Sequence, residues 1–259
     1  MSHPKELDFF IDPAETLVPS GNWPRGVAWY ESHFRSDAAI RGEASPNYTV
    51  YPFTRGVPER AASLVPGARI VYMVRDPIDR IVSQYLHRFG EGKERRSLDE
   101  ALADIGRAEP AMSLVYRSMY FMQLERWLAC FPARNVLVVA QEELLGNRVE
   151  TLRRVFAFLG IDETFHHERF AALSNVSREK RAPTRLEAWL RQRRAASTAR
   201  RLPRVVRAPG RRVLNALNRD PLHRPVLSEA RRDELRTLLQ EDTDRLRAYT
   251  GRSFSSWSL

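Results

Sequence analysis

Arg69-Ile-Val-Tyr-Met-Val-Arg75-Asp76-Pro77-Ile-Asp-Arg80-Ile-Val-Ser83-Gln-Tyr85-Leu-His87 is the stretch that decides the fold. Its first half is an apolar, β-rich run after a Pro-Gly turn at 66–67, and it reads as a buried strand from Arg69 to Val74. Asp76 suits an N-cap, and Pro77 suits the first position of a helix running to about Phe89. Strand, turn and helix in this order put Arg75 at the carboxyl end of the strand. Ser83 then lies almost two turns into the helix, and His87 follows it by four on the same face. Open α/β sheets bind ligands beyond the carboxyl ends of their strands, and a helix start favours anions. The stretch therefore points to a phosphate-bearing ligand.

Outward from it, Val57 to Leu64 reads as a helix with Pro58 in its first turn, and residues 40–52 as a short strand and a turn. Ser97-Leu-Asp-Glu100 is a capping box that opens a helix to Ile105. Tyr116, Tyr120, Leu124, Trp127 and Leu128 have helical spacing within Leu114 to Phe131. Asn135 to Ala140 is a second buried strand, followed by an acidic turn at Gln141-Glu142-Glu143. A helix from Val149 to Leu159 ends at Gly160. Strands alternating with helices predict an α/β fold with a parallel sheet. From about residue 184 only helices and loops are expected, broken by Pro203, Pro209, Pro221 and Pro225, with a last long helix from Ser228 to Tyr249. The chain reads as one domain, 1–183 being the α/β core and 184–259 a helical C-terminal part.

Composition narrows the class. At 259 residues with 43% hydrophobic content, the chain can bury a full core. No apolar window is long enough to cross a membrane, and the first ten residues lack the apolar core of a signal peptide. The single cysteine, Cys130, excludes an intrachain disulfide and a cysteine-rich zinc site, reads as a small core residue, and points to a cytoplasmic location. The net charge is +10, and residues 185–212 hold ten arginines against Glu187 alone. That run offers contact with a polyanion, or else a solvated helix face. With Trp189 its only aromatic residue, nucleic acid is not the expected partner.

The candidate chemistry follows from residue types. Arg75 offers a planar fork of donors and Ser83 a hydroxyl, which together suit a terminal phosphate. The alternative pairs Arg75 with Asp79 and turns Ser83 onto its own backbone. His87 beside such a site could move a proton, or could be structural. Glu43 precedes Ser45-Pro46, whose proline holds Ser45 extended. A stiff carboxylate facing the ligand suits a general base; the alternative is a surface glutamate. Lys5 could bring an ammonium to the ligand or stand in solvent. No metal-ligand cluster is expected.

Several segments together resemble the sulfotransferase family that uses 3′-phosphoadenylyl sulfate, most closely its heparan-sulfate-type branch and bacterial relatives. They are Lys5-Glu-Leu-Asp-Phe-Phe10, Gly26-Val-Ala-Trp29-Tyr30, Gly42-Glu43-Ala-Ser-Pro-Asn-Tyr48, Arg75-Asp-Pro with Arg80 and Ser83, Arg117-Ser-Met-Tyr120 with Leu124-Glu-Arg-Trp127, Gln141-Glu-Glu143-Leu-Leu, Phe158-Leu-Gly160 and Gly251-Arg-Ser-Phe-Ser-Ser-Trp257. They occur in the family's order along nearly the whole chain. The resemblance implies a P-loop-NTPase-like parallel sheet flanked by helices. It assigns the cofactor's 3′-phosphate to Arg75 and Ser83, the acceptor's proton to Glu43, the transferring group to His87, and a place near the cofactor to Lys5. A late basic loop over the nucleotide would correspond to Asn175-Val-Ser177-Arg178-Glu-Lys180-Arg181, which lacks the family's glycines. The implied acceptor is a hydroxyl or amine of a carbohydrate or small molecule, with no metal required.

The family opens with a strand and a glycine-rich loop that cradles the 5′-phosphosulfate. That loop stands about thirty residues ahead of the Lys-Glu segment, which here begins at residue 5, and no glycine precedes Gly21. The resemblance thus makes Met1 an internal methionine of a longer family member, and weak or no sulfuryl transfer is expected of residues 1–259 alone. Two other functions compete. One is a non-catalytic basic protein that binds polyanions through 185–212, with steep salt dependence. The other is a nucleotide kinase, against which stands the lack of Gly-x-x-x-x-Gly-Lys-Ser/Thr.

Overall fold

Ile70–Val74 and Val136–Ala140, rich in β-branched residues, form strands β1 and β2. They pair in parallel, with Ile70 opposite Val136 and Val74 opposite Ala140, so both carboxyl ends lie at one edge. The computed structural model describes residues 1–17, 21–35, 37–38, 40–103, 114–171 and 224–259. Its helices are α1 (Gly26–Glu31), α2 (Val57–Leu64), α3 (Pro77–Gly90), α4 (Leu98–Ala103), α5 (Tyr120–Leu128), α6 (Gln141–Gly146), α7 (Arg148–Leu159) and α8 (Glu229–Thr250).

The chain divides into two units. One comprises Met1–Pro77, Val115–Phe165 and Arg236–Leu259; the other comprises Ile78–Leu114 and His166–Leu235. In the first, Tyr72 and Val74 of β1 and Val138 and Ala140 of β2 pack with Tyr120 and Leu124 of α5, Leu246 of α8, and Phe254 and Trp257 of the C-terminal segment. A second cluster joins Leu7, Phe9, Phe10 and Ile11 to Val57 and Ala61 of α2 and to Trp127 and Phe131. Cys130 lies half-buried against that cluster, where burial, and then the charge of Glu59, pushes its thiol pKa up. In the second unit, α3 buries Ile78, Ile81, Val82, Tyr85 and Leu86, and α4 buries Leu98, Ala101 and Leu102.

Both strands, the helix after Pro77 and the last helix stand where the sequence puts them. The capping box also forms: Ser97 Oγ accepts from Glu100 N at 3.3 Å, and Glu100 Oε2 accepts from Ser97 N at 2.8 Å. At the end of α7, Gly160 takes φ 68°; a Cβ there would stand 2.8 Å from Arg69 Nη1, which donates to Phe158 O at 2.7 Å.

Three expectations are corrected. The segment read as a short strand around residues 40–52 is instead non-strand backbone with one 3₁₀ turn, Pro46–Tyr48. Pro46 has no N–H for a ladder, and the Ser45 hydroxyl accepts from Asp8 N at 3.0 Å. The acidic turn after β2 is the first turn of α6, where Glu142 and Glu143 meet the positive helix end. The helix expected over Leu114 to Phe131 breaks at residues 117–119, and α5 starts anew at Tyr120. Side chains meet the groups the break exposes. Gln123 Nε2 donates to Tyr116 O at 3.0 Å, and Asp242 of α8 accepts from Phe121 N at 2.9 Å and Met122 N at 2.7 Å.

Candidate active site

Arg75 is the first residue past β1, as Gln141 is past β2. Arg75 Nη1 donates to Gln141 Oε1 at 3.5 Å, and Arg75 N donates to the Tyr120 phenol at 3.3 Å. Asp76 is buried at this edge. Its backbone N donates to Glu142 Oε1 at 2.9 Å, and its Oδ2 accepts from Ser258 N at 2.5 Å. The half-buried Arg75 thus stands at the carboxyl edge of the parallel pair, its backbone N held by Tyr120 of α5, while the next residue, Asp76, is held by Glu142 of α6 and by the C-terminal segment.

Glu43 is half-buried rather than on the open surface. Its Oε1 accepts from Ser45 Oγ at 2.8 Å and from the Tyr48 hydroxyl. The 3₁₀ turn Pro46–Tyr48 makes this possible by folding Tyr48 back onto the carboxylate. Tyr48 also accepts from Phe10 N at 3.3 Å, and Asn47 donates to Asp8 Oδ2 at 3.1 Å while accepting from Arg117 Nη2 at 3.0 Å. Glu43 Oε2 is buried and has no hydrogen-bond partner among the described residues. Burial, and next the charge of Glu43, raises the phenol pKa of both Tyr30 and Tyr48, so both stay protonated and able to donate. Tyr30 stacks on Phe9 with ring centres 4.3 Å apart, which fixes it in the aromatic cluster.

Lys5 belongs to the same unit and is exposed; its ammonium lies 4.0 Å from Glu6. Ser83 and His87 lie in the other unit, one turn apart on α3. Ser83 is half-buried, and its hydroxyl has no hydrogen-bond partner among the described residues. The exposed His87 ring reaches Glu91 at 3.5 Å. Arg178, Lys180, Arg181 and the arginine run 185–212 lie outside the described residues. The structure thus gathers Glu43 with Ser45 and Tyr48, and Ser83 with His87.

Sequence reasoning gave Tyr48 no role. Its only sequence signal is the Ser-Pro-Asn-Tyr order, in which a proline after an extended serine can open a turn that returns a side chain to Glu43.

A family model described as "Sulfotransferase family" matches residues 27–167, more than half of the chain. Heparan sulfate glucosamine 3-O-sulfotransferase 6 of Homo sapiens is 31% identical over 153 residues, covering 57% of this chain and 44% of that protein. Bifunctional heparan sulfate N-deacetylase/N-sulfotransferase 2 of Homo sapiens is 27% identical over 179 residues, 64% of this chain and 19% of that protein. The chain thus spans less than half the length of these curated relatives. A solved sulfotransferase from Alicyclobacillus acidocaldarius shares the fold with a TM-score of 0.65 and 24% identity, covering 100% of this chain and 87% of that one. The parallel strand pair, the helices around it and the matched segment agree, and the chain belongs to the sulfotransferase family.

Proposed function

We propose that this protein moves a sulfuryl group from 3′-phosphoadenylyl sulfate to a hydroxyl or amine of a carbohydrate or small-molecule acceptor, in the cytoplasm. The observation that carries this reading is the Glu43 carboxylate. Two hydroxyls hold one of its oxygens, and the other is buried without a partner among the described residues. A buried acceptor with no donor is costly, so Oε2 is suited to meet a donor that a substrate brings. The acceptor O–H or N–H supplies one.

In this reaction the acceptor heteroatom attacks sulfur, and the bond from sulfur to the bridging phosphate oxygen breaks. The electron pair leaves with adenosine 3′,5′-bisphosphate, and Glu43 Oε2 takes the acceptor's proton. Arg75 and Ser83 are assigned the 3′-phosphate, the former as a charged fork and the latter as a hydroxyl donor. His87 is assigned a sulfuryl oxygen, and Lys5 and the Arg178, Lys180, Arg181 loop the surrounding negative charge. Glucosamine in the names of the relatives favours a sugar acceptor.

Calorimetric titration with adenosine 3′,5′-bisphosphate tests the reading. Arg75→Ala should weaken binding about ten- to hundredfold, the worth of a charge-assisted hydrogen bond. Binding that ignores this substitution, or a wild-type chain that binds heparin with steep salt dependence and no nucleotide, would replace it with the polyanion-binding alternative.

A further inference from the structure

We propose that Arg80 binds the 3′-phosphate of the nucleotide from the same face of α3 as Ser83; the inference rests on the reading above. The face of α3 toward the core carries Ile78, Ile81, Val82, Tyr85 and Leu86, all buried. Positions 80, 83 and 87, spaced by three and four, lie on the opposite face. An arginine there ordinarily extends its guanidinium into water. Arg80 departs from this: the residue is half-buried, and its Nη1 is sealed from solvent with no hydrogen-bond partner among the described residues. An unpaired buried donor on a charged group is among the costlier defects in a fold, and a ligand acceptor removes that cost.

The neighbouring groups say what kind of acceptor fits. Asp79, the adjacent carboxylate, pairs with Arg224. The His87 ring is directed to Glu91, which also holds Lys93 at 2.9 Å. Within one turn of Arg80 stands the Ser83 hydroxyl, itself without a partner among the described residues. A guanidinium fork and a hydroxyl on one helix face are a donor set for an oxyanion with several oxygens in fixed geometry, and a phosphate monoester has that shape. Arg80 also lies in the first turn of α3, where the helix dipole adds to the attraction.

Calorimetric titrations of the full chain, with two nucleotides, test the inference. Adenosine 3′,5′-bisphosphate carries the 3′-phosphate and adenosine 5′-monophosphate lacks it. Arg80→Ala should weaken the bisphosphate about ten- to hundredfold and leave the monophosphate within about twofold. Arg80→Lys, which keeps the charge and loses the fork, should fall between. Arg95→Ala removes an exposed positive charge from the same unit and should change neither titration. Thermal unfolding checks that each variant is folded; if Arg80→Ala is not, Arg80→Lys carries the test. Bisphosphate binding unchanged in both Arg80 variants, but lost in Ser83→Ala, overturns the inference and leaves the functional reading intact. Equal weakening of both nucleotides overturns it as well, since Arg80 would then act through the fold. A wild-type chain that binds neither nucleotide overturns both.

Discussion

Glu43 is held by one oxygen, and that asymmetry is a property of individual side chains. Ser45 and Tyr48 both donate to Oε1, while Oε2 makes no hydrogen bond among the described residues, although the Tyr30 phenol lies near enough to feel the carboxylate. The two donors are themselves fixed, since Ser45 accepts from Asp8 N and Tyr48 accepts from Phe10 N. Tyr48 therefore orients the carboxylate rather than merely touching it. A double-mutant cycle of Tyr48→Phe and Glu43→Ala, read by urea denaturation, should give a coupling of about 1.5–3 kcal/mol, the range for a hydrogen bond to a charged group. Additivity within about 0.5 kcal/mol would show the bond to be worth nothing in the fold. The stiff corner at Ser45-Pro46 was legible in the local sequence, while Glu43 was singled out there only by the family resemblance. Its partner Tyr48 was not legible, because a 3₁₀ turn of three residues leaves no periodicity in the sequence to read.

Secondary structure elements were legible wherever a local signal set their limits. Pro77 starts α3, the capping box starts α4 and Gly160 stops α7. The break before α5 was not legible, since apolar spacing runs on through residues 117–119 and the groups that stabilise the break come from far along the chain. Asp242, 121 residues from Phe121, supplies the cap that the local sequence lacks. Burial lifts the Asp242 carboxyl above its ordinary 3.8, although both backbone donors pull it down. The folded chain therefore holds this proton more tightly than the unfolded chain. This group's contribution to stability is constant above the raised value and grows as pH falls from it toward 3.8. Asp242→Ala should cost about 1–2 kcal/mol at neutral pH, as for loss of a helix cap. Urea midpoints should show the deficit widening as the solution is acidified into that window.

At the scale of the molecule, the parallel pair was foreseen from two buried runs separated by helices, but what covers its carboxyl edge was not. The C-terminal segment does so in the first unit. Phe254 and Trp257 stack with ring centres 4.2 Å apart, and Trp257 reaches Tyr120 at 6.1 Å. Arg252 pairs with Glu143, Arg236 Nε donates to Ser258 O at 3.0 Å, and Ser258 N reaches Asp76 across 182 residues of sequence. Such a contact leaves no trace in local pattern; only the Trp257 segment's likeness to the family tail hinted that it mattered. Because Asp76 follows Arg75 directly, the tail's packing and the setting of the guanidinium are one mechanical problem. Trp257→Ala should remove about 3–5 kcal/mol of stability, the cost of emptying a buried aromatic site. It should also raise amide hydrogen exchange at Arg75 and Asp76 under native conditions, since their backbone donors are held by Tyr120 and Glu142 beside that packing. Exchange at those two amides unchanged in a destabilised Trp257→Ala variant would separate the tail from the site.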